Sequence, residues 1–241
     1  MSDWILCDET REKLKKVSTA SVATALYKRG LRNQFVQGVV PVERKPVTMV
    51  GQAFTLRYIP AREDRNPIEV FRDRGHKQRV AVETCPAGHV LVMDARKDSR
   101  AATAGSILVS RLAMRGVAGV VSDGGVRDAA GIGALDMPAY FANPSAPTNL
   151  TLHEAIDINV PISCGDAPVF PGDVMLGDGD GVMVIPAHLA DEIAEECTQM
   201  ESFEDFVLEQ VEEGAAIIGL YPATDEANIE KYNAWREKTG R

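Results

Sequence analysis

Two short stretches of the chain hold residue types from which an anion site can be built. Ala104-Gly105-Ser106-Ile107-Leu108 reads as the opening turn of a helix, and Asp123-Gly124-Gly125-Val126-Arg127-Asp128 as a glycine turn leading from a buried strand into another helix. A first helical turn presents N–H groups with no acceptor inside the helix, together with the positive end of the helix dipole, and both favour a carboxylate. Arg127 adds a planar fork of donors, and Asp128 a hard oxygen of the kind that Mg2+ or Mn2+ takes. The Arg-Asp pair also has a plainer use, because an acid in a first helical turn complements the dipole without doing any chemistry. The double glycine, which permits close backbone approach, favours the chemical use.

The two stretches can meet only if their elements deliver them to one edge. Residues 89–94 form a short apolar run typical of a strand buried on both faces, followed by a polar loop over 95–102. Over 103–115, Ile107, Leu108, Leu112 and Ala113 fall on one helical face, with Gly116 as the stop. Residues 117–122 make a second buried strand, then come the 123–128 turn and a helix to about Leu135. Strand, helix, strand, helix is a βαβ unit with parallel strands, and the loops after the two strands lie at the same carboxyl edge.

The flanking segments are read more coarsely. Residues 10–30 have helical spacing with Gly30 as cap, 46–60 a strand bracketed by prolines, 61–65 a charged loop, and 66–72 a short helix. Residues 138–142 read as a strand and 143–150 as a proline-rich loop. Short strands at 160–162, 168–170, 174–176 and 182–185, joined by Gly-Asp turns, suggest a β-rich layer. After Pro186 apolar residues keep helical spacing as far as Gly214, and the tail from Thr224 carries Ile229, Tyr232 and Trp235 as a short amphipathic helix. The run Gly177-Asp178-Gly179-Asp180-Gly181 is read as a hairpin turn, because the closing bidentate Glu of a calcium loop is missing.

Composition narrows the classes. A formal net charge of −9 over 241 residues argues against a nucleic-acid surface, which needs a basic patch. No stretch is apolar over the length of a membrane span, and the N-terminal segment has no basic region ahead of an apolar one, so a cytoplasmic location is expected. Cys7, Cys85, Cys164 and Cys197 are scattered as buried or half-buried thiols would be, and the four histidines lack paired metal-ligand spacing. Nucleophile elbow, phosphate loop and dinucleotide fingerprint are all absent.

Gly105-Ser106-Ile107-Leu108, Arg115-Gly116-Val117-Ala118-Gly119-Val120-Val121, Asp123-Gly124-Gly125-Val126-Arg127-Asp128, Pro171-Gly172-Asp173 and Asp180-Gly181-Val182-Met183-Val184-Ile185-Pro186 together resemble the RraA-like proteins. That family includes the class II 4-hydroxy-4-methyl-2-oxoglutarate and 4-carboxy-4-hydroxy-2-oxoadipate aldolases. The resemblance runs over about residues 18–214. It implies an α/β, swivelling β/β/α RraA-like fold with a central βαβ unit, a β-rich layer and a C-terminal helical extension. The domain then covers 1–214, and 215–241 form an extension packed on the body or on a neighbouring subunit. It also implies a homotrimer or hexamer with sites at subunit boundaries.

Carried over by position, the resemblance makes Asp128 the Mg2+ or Mn2+ ligand and Arg127 the group that binds the 2-oxo acid and stabilises the enolate oxygen. Gly105, Ser106, Ile107 and Leu108 would hold the substrate carboxylate through their backbone. The implied reaction is retro-aldol cleavage or oxaloacetate-type decarboxylation through a metal-bound pyruvate enolate, with no lysine Schiff base. Ser106 stands where the aldolases keep an acid. This implies weaker metal binding, a different substrate, or an acid supplied from elsewhere, such as Glu201 or Glu204 of a neighbouring copy. The alternative is a non-catalytic RraA-like regulator that binds a protein partner. In that branch an acidic pair follows the Arg-Asp after two residues, where this chain has Gly131-Ile132.

Overall fold

β-Branched and apolar runs supply the strands β1 (Val40–Pro41), β2 (Met49–Pro60), β3 (His89–Asp94), β4 (Ala102–Ala104), β5 (Gly119–Val126), β6 (Ala139–Pro144), β7 (His153–Ile158), β8 (Ile162–Cys164), β9 (Ala167–Val169), β10 (Val174–Gly177) and β11 (Val182–Ile185). The helices are α1 (Asp8–Leu14), α2 (Thr19–Lys28), α3 (Lys77–Thr84), α4 (Ser106–Met114), α5 (Ala129–Gly133), α6 (Ala190–Glu212) and α7 (Glu226–Thr239). The computed structural model describes residues 4–240, so the first three residues of the N-terminal segment read above lie outside it. Among the described residues no helix is long and apolar enough to cross a membrane.

The nine-stranded sheet has the order β1-β6-β5-β3-β2-β10-β11, with β4 paired to β5 and β7 to β2. Its centre, β2, β3, β5 and β6, is parallel, and α3, α4 and α5 make the successive crossovers. Period-two alternation divides the strand side chains between two faces. Leu91 and Met93 of β3 join Ala81 and Val82 of α3 and Val109 and Leu112 of α4 in one core. Val90 and Val92 face the opposite way, onto the β8–β9 hairpin through Cys164 and Val169. A third core sets α2 and α6 against β10 and β11. α7 packs on the far end of α6 through Phe203, Phe206, Tyr232 and Trp235. The α/β fold with a central βαβ unit, a β-rich layer and C-terminal helices is therefore the one the sequence led us to expect.

Several local expectations are corrected. Residues 10–30 form two helices, because the Ser18 side chain accepts from Ser21 N–H and starts α2 afresh. The helix expected from Thr103 begins at Ser106, since 102–104 pair with β5 as a short strand. Ile107, expected inward, is 83% exposed, while Val109 and Leu112 carry the buried face. α3 and β7 were missed: α3 is a polar sequence close to Pro86, and β7 is a half-exposed strand paired only to β2.

The largest correction concerns the double glycine. The strand expected to end at Ser122 continues through Val126, so Gly124 and Gly125 lie within β5 and not in a turn. A Cβ on Gly124 would fall 2.5 Å from Thr103 Cγ2, and one on Gly125 would fall 2.6 Å from the Ser99 carbonyl oxygen. The Gly124 N–H donates to Ser122 Oγ and the Gly125 N–H to the Ala101 carbonyl, so neither is available to an anion. The glycines are there for close packing of the 95–103 segment on β5. Asp123 reinforces this packing by accepting from the N–H groups of Ala95, Lys97 and Gly165 at 2.6, 3.0 and 3.1 Å. Burial raises the Asp123 carboxyl above its usual range, and the three N–H bonds act against that shift.

Gly125→Ala must therefore push backbone against backbone. We expect a loss of about 1–3 kcal/mol, the usual range for overpacking, seen as a lower urea midpoint. An unchanged midpoint would show that the segment gives way freely.

Candidate active site

The carboxyl ends of β4 and β5 deliver the predicted residues to one place. The Arg127 N–H donates to the Ala104 carbonyl at 3.1 Å, tying the end of β5 to the residue before Gly105. Asp128 follows with φ +58° and ψ +38°, left-handed values that Asp and Asn tolerate better than most residues. This turn brings its carboxylate back onto the start of α4, where Oδ2 accepts from Ser106 N–H at 3.2 Å and from Ser106 Oγ–H at 3.1 Å. Arg127 Nε stands 3.8 Å from the same Oδ2. A Cβ on Gly105 would lie 2.8 Å from Arg127 Cγ and 2.9 Å from Asp128 Oδ2, so only glycine leaves the pair its place.

The α4 amides divide their work. The Ser106 N–H goes to Asp128 and the Leu108 N–H bonds back to the Gly105 carbonyl. Among the described residues the Ile107 N–H has no acceptor, which leaves it as the first-turn donor for an incoming anion. Ser106, expected among the substrate-binding residues, has its hydroxyl on Asp128 and holds that carboxylate in orientation.

Gly105, Ile107, Leu108, Arg127 and Asp128 line one cavity of about 130 Å3. Its other walls come from residues the sequence did not single out: Phe71, Gln78, Arg79, Ala102, Ala104, Thr148 and Asn149. Gln78 is buried and donates from Nε2 to the Thr103 carbonyl at 2.6 Å, which braces β4 just before Gly105. Arg79 lies 4.5 Å above the Phe71 ring. Both belong to α3, the helix with no clear apolar stripe, so no periodic signal could have placed them.

Asp128 is the cavity's only carboxylate among the described residues. No group of three or more His, Cys, Asp or Glu gathers to hold a metal among those residues. Glu201 accepts from Ser18 N–H and Ser21 Oγ–H, and Glu204 accepts from Tyr221 Oη–H, so within one chain both are engaged away from the cavity.

A parallel sheet with a cleft at its carboxyl edge, where a helix start meets an Arg-Asp pair, defines an α/β protein with its candidate ligand site outside the strand ends. The chain belongs to the RraA-like family, described as Aldolase/RraA, whose model matches residues 19–184. Over 99 residues it is 40% identical to a protein of Halalkalibacterium halodurans provisionally named 4-hydroxy-4-methyl-2-oxoglutarate aldolase, covering 41% of this chain and 47% of the relative. An Ectopseudomonas mendocina protein with the same provisional name is 33% identical over 103 residues, covering 43% of this chain and 63% of the relative. The chain thus spans from about half to under two thirds of the length of these relatives. Streptomyces coelicolor RraAS2, described as an unusual member of the RNase ES inhibitor RraA protein family, superimposes with a TM-score of 0.73. It is 27% identical, and the match covers 83% of this chain and 96% of that one.

Gly105→Ala tests the geometry. The new methyl displaces the Arg127 and Asp128 side chains, which can move, and not packed backbone. Calorimetry with oxalate as the anion is expected to show an affinity loss of about tenfold, while the melting temperature stays within a few degrees. Unchanged oxalate affinity would place anion binding elsewhere.

Proposed function

We propose that this chain is a carbon–carbon lyase that acts on a 2-oxo acid with the help of a divalent cation. The observation that carries the proposal is the meeting of the Asp128 carboxylate, the Arg127 guanidinium and the first turn of α4 at one cavity. The aldolase names of the relatives support the reaction class.

Asp128 fits a hard cation. Its Oδ2 takes both bonds from Ser106, its Oδ1 accepts none from the described residues, and its side chain is 47% exposed. Mg2+ is commonly held by one or two carboxylates, with water and substrate oxygens completing the shell. Asp128 would hold the ion, which when bound supplies a Lewis acid for the 2-oxo group. The remaining work falls to the chain itself. The Ile107 N–H and Arg127 bind and orient the substrate carboxylate. Arg127 also sets a positive charge near the oxygen that becomes negative as the bond beyond C3 breaks. Phe71, Ala102, Ala104 and Leu108 add apolar wall, which strengthens those interactions by excluding water. The proposal includes assembly as a homotrimer or hexamer, which would cover Ile107 and Met114 where they stand out from α4.

Oxaloacetate is the most direct first substrate, because loss of CO2 needs no base at the outset and the described cavity residues include no imidazole and no carboxylate besides Asp128. With Mg2+ or Mn2+ the protein should release pyruvate above the metal-only background. Asp128→Asn should lower kcat/KM by about a hundredfold or more, the scale of losing a directly acting polar group, with the fold intact by circular dichroism. Turnover of no 2-oxo acid, hydroxylated ones included, would end the lyase proposal. A fully active Asp128→Asn variant would move the site.

A further inference from the structure

A histidine that the proposed chemistry does not use ties two walls of the cavity together. His153 opens β7 and is fully buried, with its ring 5.7 Å from that of Tyr58 on β2. Nη2 of Arg96, from the loop after β3, stands 3.1 Å from the His153 Nδ1 and also donates to the Leu152 carbonyl at 2.9 Å. An arginine can only donate, so Nδ1 accepts and the ring proton sits on Nε2. That nitrogen is buried with no hydrogen-bond partner among the described residues. The imidazole is thus held neutral, by a contact that a proton on Nδ1 would end.

Both segments joined by this contact reach the cavity. The 95–101 loop, bent by left-handed Arg96 and Lys97 at φ +61° and +58°, leads into Ala102 on the cavity wall. Residues 147–153 supply Thr148 and Asn149 to the same wall. Between the two, the Ala102 N–H donates to the Pro147 carbonyl at 2.8 Å. Asn149 Nδ2 in turn donates to the His153 carbonyl at 3.3 Å. Loss of the Arg96 bond therefore loosens the wall just ahead of Gly105.

The surroundings set the direction of the response. Burial and the Arg96 guanidinium pull the imidazole below the ordinary histidine range. Asp98 and the carbonyls of Asp98 and Ala101 act the other way, the carbonyls without reaching bonding geometry. The Asp98 carboxylate is already engaged by Arg100 at 2.7 Å. On β7 itself Glu154 and Asp157 pair with Arg65 and Arg57, and on α3, which packs on β7, Arg79 is turned to Phe71. Tyr58 is a neutral phenol, its pKa raised by burial. Once the contact opens, the ring titrates at the ordinary value of about 6.5, so opening takes up a proton and is favoured as the pH falls below that value.

We propose that neutral His153 is a positioning residue that latches the 95–101 loop to the 147–153 segment, and that its protonation favours an open form of the cavity wall that binds no anion. The latch does not depend on which anion the site takes or on what reaction follows.

Amide hydrogen exchange over 95–104 and 147–153, expressed as protection relative to the unstructured rate at each pH, tests it in the whole chain. Between pH 7.5 and 5.5 the wild type should lose protection by a factor approaching about tenfold, the gain of the open form one pH unit below an ordinary histidine pKa. At pH 5.5, oxalate at about ten times its Kd should restore about tenfold, because it binds the closed form alone. His153→Asn does not titrate, and its Oδ1 can take the Arg96 bond, so its protection should not vary with pH. A merely structural histidine would lower protection at every pH and leave the response in place. His76→Asn and His89→Asn, which remove the other two rings held low by burial, should keep the wild-type response. No response in wild type, a response kept in His153→Asn, or one lost in either control overturns the assignment. Exchange at pH 5.5 that oxalate leaves unchanged does so too. The wild-type and control arms decide the matter should His153→Asn not fold.

Discussion

No side chain fits at Gly124, Gly125 or Gly105, where the 99–105 segment lies against the end of β5, and the site depends on that constraint. Gly124 and Gly125 let the segment lie directly on the strand, with Asp123 gathering backbone N–H groups from the loops around it. β4 is pinned as a result, and Gly105 then meets Arg127 and Asp128 with no room to spare. A buried carboxylate bonded to three amides is expensive to desolvate, but it is matched and therefore rigid. The exposed Asp128, by contrast, gets its orientation from one serine.

Electrostatically, the molecule places a cationic pocket in an acidic chain. Arg127 and Arg79 both line the cavity, and acidic residues are concentrated along α6. A negative body slows the approach of anions in general, while a recessed positive cavity focuses the field on those that reach it. Selectivity of this kind depends on the walls more than on the Arg127–Asp128 pair. It suits a family whose fold also serves proteins described as ribonuclease inhibitors.

Much of this was legible in the residues. The alternation of buried runs with amphipathic segments led to the βαβ unit, and the parallel direction of its strands led to the convergence of Gly105 with Arg127 and Asp128 at one edge. The failures share a physical cause. A glycine pair looks the same whether it turns a chain or lets another chain lie against it, so β5 was cut short at Ser122. α3 carries mostly polar residues, and its role comes from tertiary contacts that leave no period, so Gln78 and Arg79 went unnoticed. Ile107 had the right spacing for burial, yet its face of α4 is left uncovered in a single chain.

The backbone angle at Asp128 also bears on how such a fold diversifies. At φ +58° a longer acid such as glutamate loses the local hydrogen bonding that helps short polar side chains tolerate left-handed geometry, whereas asparagine keeps it. The mutational neighbourhood of this position is therefore lopsided. The carboxylate charge can be lost in a single conservative step that keeps an oxygen for the two Ser106 bonds, while moving the charge outward by one methylene strains the turn. A lineage built on this turn can abandon the proposed chemistry without loss of structure and keep the scaffold for contact alone.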